Sequence, residues 1–167
     1  MHRSIISLGL AAALAAGSSL AASAETLPTR KAGLWEMKGT NGEGAPTTTR
    51  QCIDAATDQQ MQGMTDKMGV ECSKKQLTKT ANGYVNETAC KMGTISMEGK
   101  SVMTGDFNSA VRIETDSTVT GIPGTAGPKT THSILETRWI GPCEAGQKPG
   151  DVILENGQKL NLPAMPR

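Results

Sequence analysis

The segment from Cys72 to Cys90 places the strongest constraint on how this chain folds. Asn82-Gly83 lies at its centre, and this dipeptide favours the positive φ angles of a two-residue type I′ hairpin turn. The segment therefore predicts two antiparallel strands, each with a cysteine at its far end. In that register Cys90 lies opposite Lys75, which places Cys72 and Cys90 on opposite faces of the hairpin.

The four cysteines, Cys52, Cys72, Cys90 and Cys143, predict two disulfides, because an even number of cysteines in an exported chain is typical of a disulfide framework. Four cysteines allow three connectivities. Cys52 and Cys72 bracket a predicted helix and Cys72 and Cys90 face apart, so the preferred pairing is Cys52–Cys72 with Cys90–Cys143. No Cys-x-x-Cys pair is present, and the spacing does not indicate a zinc site.

Residues 1–24 have the three parts of a secretory signal peptide. His2 and Arg3 precede the apolar run 5–22, which ends in the small residues Ala22-Ser23-Ala24. The sequence therefore predicts a periplasmic or secreted protein with no membrane span after cleavage. Removal of this segment leaves 16 basic and 16 acidic residues, and this zero net charge argues against binding to nucleic acid or to an anionic membrane surface.

Short β-branched runs separated by turn residues predict a mainly β fold for residues 25–143. The clearest strand alternates apolar Val111 and Ile113 with charged Arg112 and Glu114, as a half-buried antiparallel strand does. We expect an antiparallel bent sheet or a small barrel of about seven to eight strands. Residues 25–31 are predicted to be a loose leader, and residues 144–167 a C-terminal tail or a small hairpin.

One short helix is predicted from Ala55 to Lys67, with Asp54 as its N-cap and Gly69 just beyond its end. Met61, Met64 and Met68 fall at i, i+3 and i+7 and share one face of that helix. Nine methionines accompany only four aromatic residues, so the favoured interpretation is that methionine fills a core that lacks aromatic side chains. The alternative is Cu(I) binding by the three thioethers, which are soft ligands.

The sequence offers little for catalysis. His132 is the only histidine after residue 24, and its place on a predicted strand beside a loop favours a solvated edge residue. No nucleophile elbow, metalloprotease helix motif or phosphate-binding loop is present. We therefore expect no enzymatic activity, no catalytic residues and no cofactor.

Several short motifs resemble one known family: Lys31-Ala32-Gly33-Leu34-Trp35-Glu36, Gln51-Cys52, Cys72 and Cys90 around a glycine turn, and Gly141-Pro142-Cys143. It is the bacterial periplasmic domain-of-unknown-function family thirty-six-seventeen, and the resemblance covers residues 31–143. It implies small exported proteins and supplies no activity or site residues. This chain extends beyond Cys143, where the resemblance ends.

Two functions follow as hypotheses. The first is a non-enzymatic binding or accessory module of the cell envelope, which holds an apolar small molecule or docks a protein partner. The second is periplasmic Cu(I) handling through Met61, Met64 and Met68.

Overall fold

The computed structural model describes residues 25–41, 44–64 and 70–161. These residues form one antiparallel sheet of nine strands and one helix. In chain order the elements are β1 (Gly33–Asn41), β2 (Thr47–Ile53), α1 (Ala55–Gln62), β3 (Glu71–Thr80), β4 (Gly83–Met92), β5 (Ile95–Gly105), β6 (Ala110–Thr120), β7 (Lys129–Gly141), β8 (Asp151–Ile153) and β9 (Lys159–Asn161). The predicted fold class is therefore confirmed: mainly β and antiparallel, with one short helix and two disulfides.

The strands lie in the order β3-β4-β5-β6-β7-β1-β2-β8-β9, so the sheet is open and has β3 and β9 at its edges. Strands β3 to β7 follow one another through the sheet, whereas β1 and β2 join it on the far side of β7. The described residues contain more strands than the sequence predicts, because β8 and β9 form a hairpin in the segment after Cys143. β8 also pairs with β2, which attaches this hairpin to the sheet.

The two faces of the sheet differ in chemistry, as the alternation along β6 predicts. On the inner face Ile113 aligns with Met103 of β5 and with Leu135 of β7, and Val111 lies beside them. Successive side chains of a strand point to opposite sides, so the outer face carries the charged neighbours Arg112, Glu114, Asp116, His132, Glu136 and Arg138. The inner face holds a core cluster of Tyr84, Met103, Phe107 and Val111.

The hairpin between β3 and β4 turns one residue earlier than predicted. Thr80 pairs with Gly83, so the two-residue loop is Ala81-Asn82 rather than Asn82-Gly83. Gly83 has a φ of +149°, and a Cβ there would lie 1.9 Å from the carbonyl oxygen of Met103 in β5. The glycine is thus required by the close approach of β5 and not by the centre of a turn.

The predicted disulfide pairing is wrong, and the cause is a bulge. The register of β3 against β4 shifts by one residue between Cys72 and Lys74. An extra residue on one strand reverses which face the following side chains occupy, and it brings Cys72 directly opposite Cys90. These two cysteines form one disulfide, and Cys52 and Cys143 form the other.

The Cys52–Cys143 disulfide links the end of β2 to the residues that follow β7. Between these strands lies the start of β1, where Leu34 pairs with Cys52 on one side and with Gly141 on the other. Trp35, the next residue of β1, is completely buried. The bond therefore links the strands at the end where Trp35, the largest fully buried side chain among the described residues, lies.

Helix α1 is shorter than predicted. It begins after Asp54, ends at Gln62, and has Gly63 as its C-cap, whereas the sequence predicts a helix to Lys67. Glycine is among the poorest helix formers, which is consistent with an end at this position. Residues 65–69, and with them Met68 and the predicted helix end, lie outside the described residues.

The predicted signal peptide, residues 1–24, also lies outside the described residues. Within the part of the chain that the structure describes, no helix has the length and apolar character needed to cross a membrane.

Candidate functional site

A pocket of about 380 Å³ lies over the inner face of the sheet. Its floor comes from β1, β5, β6 and β7, and its cover comes from α1, the β5–β6 loop and the segment before β1. The lining residues are Leu27, Arg30, Met37, Gln51, Asp58, Met61, Gln62, Met103, Phe107, Val111, Ile113, Leu135 and Thr137. Most of these side chains are apolar, as in pockets that bind small molecules.

The segment 25–32, here called the N-terminal strap, forms one wall of the pocket. Leu27 packs against the core cluster, and the backbone N–H of Lys31 donates to the carbonyl of Phe107 at 3.1 Å. Two indole N–H groups also donate to backbone carbonyls of the strap: Trp35 Nε1 donates to Lys31 O at 2.8 Å, and Trp139 Nε1 donates to Ala32 O at 3.1 Å. The prediction that residues 25–31 form a loose leader is therefore wrong.

Arg30 and Asp58 join the strap to helix α1. Arg30 Nε donates to Asp58 Oδ1 at 2.8 Å, Arg30 Nη2 lies 2.7 Å from the same oxygen, and the backbone N–H of Arg30 donates to Oδ2 at 2.8 Å. The Asp58 side chain is 1% exposed and that of Arg30 is 16% exposed. A buried ion pair with this many hydrogen bonds is costly to break, because loss of one partner leaves the other charge uncompensated.

Helix α1 is positioned by its first turn and by β2. Asp54 accepts from the backbone N–H of Thr57 at 2.8 Å and from the Thr57 hydroxyl. These bonds, the hydroxyl bond first, lower the pKa of Asp54 because they favour the carboxylate. At the other end Gln51 Nε2 of β2 donates to the Met61 thioether sulfur at 2.8 Å, which directs Met61 into the pocket.

The β5–β6 loop closes a further side of the pocket. Phe107 has a φ of +59°, a left-handed conformation that is uncommon for a bulky residue. Its ring is buried and meets Tyr84 edge to face, with 5.7 Å between centroids and an interplanar angle of 89°. Asp106 fixes the loop by accepting from the backbone N–H and hydroxyl of Ser109 and from the backbone N–H of Asn108, and these bonds hold the pKa of Asp106 well below its ordinary value.

The outer face also has depressions, but their lining is of another kind. One of them, about 450 Å³, is lined in part by the charged residues Glu36, Lys38, Arg112, Glu136 and Arg138. These side chains pair with one another, as Arg138 with Glu36 at 3.5 Å and Arg112 with Glu136. These charges pair with each other, and all of them except Glu36 are at least 41% exposed, so this surface is largely solvated and we place the candidate site on the inner face.

Two methionines of the predicted thioether group lie among the described residues. Met61 lines the pocket, and Met64 lies beyond the end of α1. Met68 lies outside the described residues. Of the other methionines that the structure describes, Met103 is 5% exposed in the core, whereas Met92 and Met97 are 52% and 43% exposed.

His132 lies on the outer face, away from the pocket. Its Nδ1 is 2.7 Å from Asp116 Oδ1, and the two side chains are 54% and 73% exposed. All four cysteines, Cys52, Cys72, Cys90 and Cys143, are in disulfides. Among the described residues no group of three or more His, Cys, Asp or Glu side chains is arranged to hold a metal ion.

Sequence reasoning did not identify Arg30 and Asp58 as pocket residues. They are separated by 28 positions, and no local pattern relates them. Asp58 appears in the sequence as an ordinary acidic residue in the first turn of a helix, where negative charge is favourable. The one available signal is that Asp58 lies three positions before Met61 and therefore shares with it the core-facing side of the helix.

Comparison with known proteins gives one match. The family model described as a protein of unknown function (DUF3617) matches residues 30–143, which include the strap residue Arg30, strands β1 to β7, α1 and both disulfides. No curated protein and no solved structure matches the chain.

Proposed function

The chain belongs to the DUF3617 family, and because the function of that family is unknown, we propose one from the geometry: the protein is a non-enzymatic binding module of the cell envelope that holds a small apolar molecule in the inner-face pocket. The pocket itself is the observation that supports this proposal. Its volume of about 380 Å³ falls within the range typical of small-molecule sites, and a mostly apolar lining with a few fixed polar groups is their usual composition.

The way the pocket is closed supports the same function. The strap is held over the sheet by an ion pair and two indole hydrogen bonds, and the β5–β6 loop contains Phe107 in a left-handed backbone conformation. Bulky residues in a left-handed conformation are strained and persist only where the surrounding structure holds them. They are concentrated at functional sites. If the strap and this loop only completed a close-packed core, less open volume would remain between them and the sheet.

The lack of enzymatic activity is part of the proposal. His132, the single histidine after residue 24, lies on the outer face and is engaged by Asp116. It is thus remote from the apolar lining, and a base and a nucleophile have to converge on one substrate for catalysis.

The location in the envelope is proposed from the signal-like residues 1–24 together with the disulfides. The two disulfides fit an extracytoplasmic protein, since such bonds form and persist in oxidising compartments. We place the protein in the periplasm.

Binding of a neutral apolar dye, N-phenyl-1-naphthylamine, tests the pocket. The variant Leu135→Phe adds volume on the inner face where Leu135 lines the pocket. The neighbouring Ile134→Phe makes the same addition on the outer face of the same strand and is the matched control. We expect dye fluorescence to increase on binding to the wild type, and the affinity to fall about tenfold, ~1.4 kcal/mol, in Leu135→Phe alone.

Unfolding curves for both variants show whether each is folded at the temperature of the dye titration. An unchanged affinity in folded Leu135→Phe, or equal losses in the two variants, would contradict binding in this pocket. A wild-type protein that does not bind the dye would contradict it as well.

A further inference from the structure

The pocket contains two formal charges, and they neutralise each other. Among the described lining residues the charged side chains are those of Arg30 and Asp58. Both belong to the ion pair that joins the strap to α1. The remaining lining is apolar or carries neutral groups such as Thr137.

Arg30 is not available to a ligand anion. An arginine in an apolar pocket is the usual partner for a carboxylate, because its planar guanidinium matches two oxygens. Here the guanidinium is held by Asp58 Oδ1 through Nε at 2.8 Å and Nη2 at 2.7 Å, and it lies 5.4 Å from the ring centroid of Trp35. Turning it toward a ligand would leave the Asp58 carboxylate unpaired at 1% exposure.

Asp58 is equally unavailable to a ligand cation. Its Oδ1 accepts from the Arg30 guanidinium, and its Oδ2 accepts from the backbone N–H of Arg30 at 2.8 Å and from Gln62 Nε2 at 3.2 Å. The lone pairs of both oxygens are thus used within the protein. A ligand ammonium would have to displace Arg30, with the same loss of pairing.

The polar groups that remain are neutral. Thr137 is 5% exposed and its hydroxyl donates to Val111 O at 3.2 Å, which leaves the hydroxyl oxygen as an acceptor. Gln51 is 3% exposed, and one N–H of its Nε2 donates to the thioether sulfur of Met61. Such groups suit a hydroxyl or ester of the ligand and give no compensation for a net charge.

We infer that this pocket selects uncharged apolar molecules, such as medium-chain alcohols or esters, and excludes carboxylates and amines of the same chain length, because its own ion pair uses both charges. This inference rests on the proposed function and specifies the ligand class of that same pocket. It predicts that breaking the ion pair changes the charge preference of the site.

Competition with N-phenyl-1-naphthylamine tests this inference, with 1-octanol, octanoate and octylammonium as competitors at neutral pH. The wild type should release the dye to octanol at a concentration at least about tenfold lower than to either ion. Since ions are harder to desolvate in any apolar site, the deciding measurement is the affinity ratio of octanoate to octanol in Asp58→Asn. That ratio should rise about tenfold, because Arg30 no longer has a carboxylate partner.

Glu114→Gln is the matched control, because it removes the carboxylate of an exposed ion pair with Arg112 at 2.7 Å on the outer face. The ratio should not change in this variant. If Asp58→Asn does not fold, Arg30→Gln gives the mirrored measurement, a rise in the ratio of octylammonium to octanol.

The outcomes separate the two proposals. Failure of the dye to bind the wild type contradicts the pocket itself and thus the proposed function. Dye binding with octanoate or octylammonium as effective as octanol overturns the inferred ligand class and leaves the pocket in place. A ratio that is the same in the wild type and in the folded ion-pair variant overturns the role of Arg30 and Asp58.

Discussion

Replacing Arg30 by methionine removes the charge that neutralises Asp58 and keeps an unbranched side chain of similar length against Trp35. Asp58, 1% exposed, then loses both guanidinium contacts and retains the backbone N–H of Arg30 and the side-chain N–H of Gln62. Removing one partner of a buried pair costs about 3–5 kcal/mol. Because two hydrogen bonds remain, we expect a loss near the lower end, ~3 kcal/mol.

Urea unfolding followed by the fluorescence of buried Trp35 measures this loss. With an m-value of about 1.5–2 kcal/mol/M, the midpoint should fall by about 1.5–2 M. The double variant Arg30→Met/Asp58→Leu should recover most of the stability, because replacing both charges by apolar side chains leaves neither one unpaired.

Arg112→Met is the control, since the Arg112 and Glu114 side chains are 41% and 46% exposed and such pairs contribute about 0–1 kcal/mol. A midpoint shift in Arg30→Met no larger than in this control would refute the reasoning. It would mean that water solvates the Asp58 carboxylate in the folded protein and that the ion pair does not exclude water from this side of the pocket.

Three further predictions concern the framework, each measured by urea unfolding. Replacing both cysteines of the Cys52–Cys143 disulfide by alanine should lower the free energy of unfolding by about 4.6 kcal/mol, and the same change at Cys72–Cys90 by about 3.2 kcal/mol. The reason is that a disulfide restricts the unfolded chain more when it closes a longer loop, and the two separations are 91 and 18 residues; equal losses would contradict this. Gly83→Ala should destabilise more than Gly124→Ala: both have positive φ, costing about 1–3 kcal/mol each, but only at Gly83 does the Cβ meet backbone. Asp106→Asn should lower the free energy of unfolding at neutral pH. The difference from wild type should narrow below about pH 3.8, because there the unfolded wild-type chain takes up a proton at Asp106 while the folded chain, with its lowered pKa, does not; a gap independent of pH would contradict this.

The fold could be predicted to a large extent because its strands have clear local patterns. β2 begins with three consecutive threonines, which is one of the β-branched runs that predict a mainly β fold. Along β6, the alternation of Val111 and Ile113 with Arg112 and Glu114 correctly predicted the inner and outer faces. The first prediction depends on β-branched composition and the second on period-two patterning, and both are local properties of one strand.

The disulfide pairing could not be predicted, because it depends on register to a single residue. The turn precedes the predicted position by one residue, and the bulge after Cys72 shifts the register again. Each displacement changes which cysteine lies opposite which, and the bulge reverses the face. Neither Gly83, held by its approach to β5, nor Ser73 at the bulge has a local signature of its role.

The sequence predicted a binding function but not the position of the pocket. A core short of aromatic residues and rich in methionine indicated an irregular interior, and Met61 does line the pocket. The Arg30–Asp58 pair that closes it joins two segments 28 positions apart. Such a pairing is a property of the folded chain, because nothing in either segment specifies the other.

The strand order described above also determines when the sheet can be completed. Strands β3 to β7 pair with their neighbours in the chain, so this meander can form while the rest of the protein is still extended. β1 must wait, since Trp35 pairs with Trp139 and closing so long a loop is entropically unfavourable until many contacts form together. β1 is therefore among the last strands to reach its native position, and the Cys52–Cys143 bond is favoured only when β1 has joined β2 to β7.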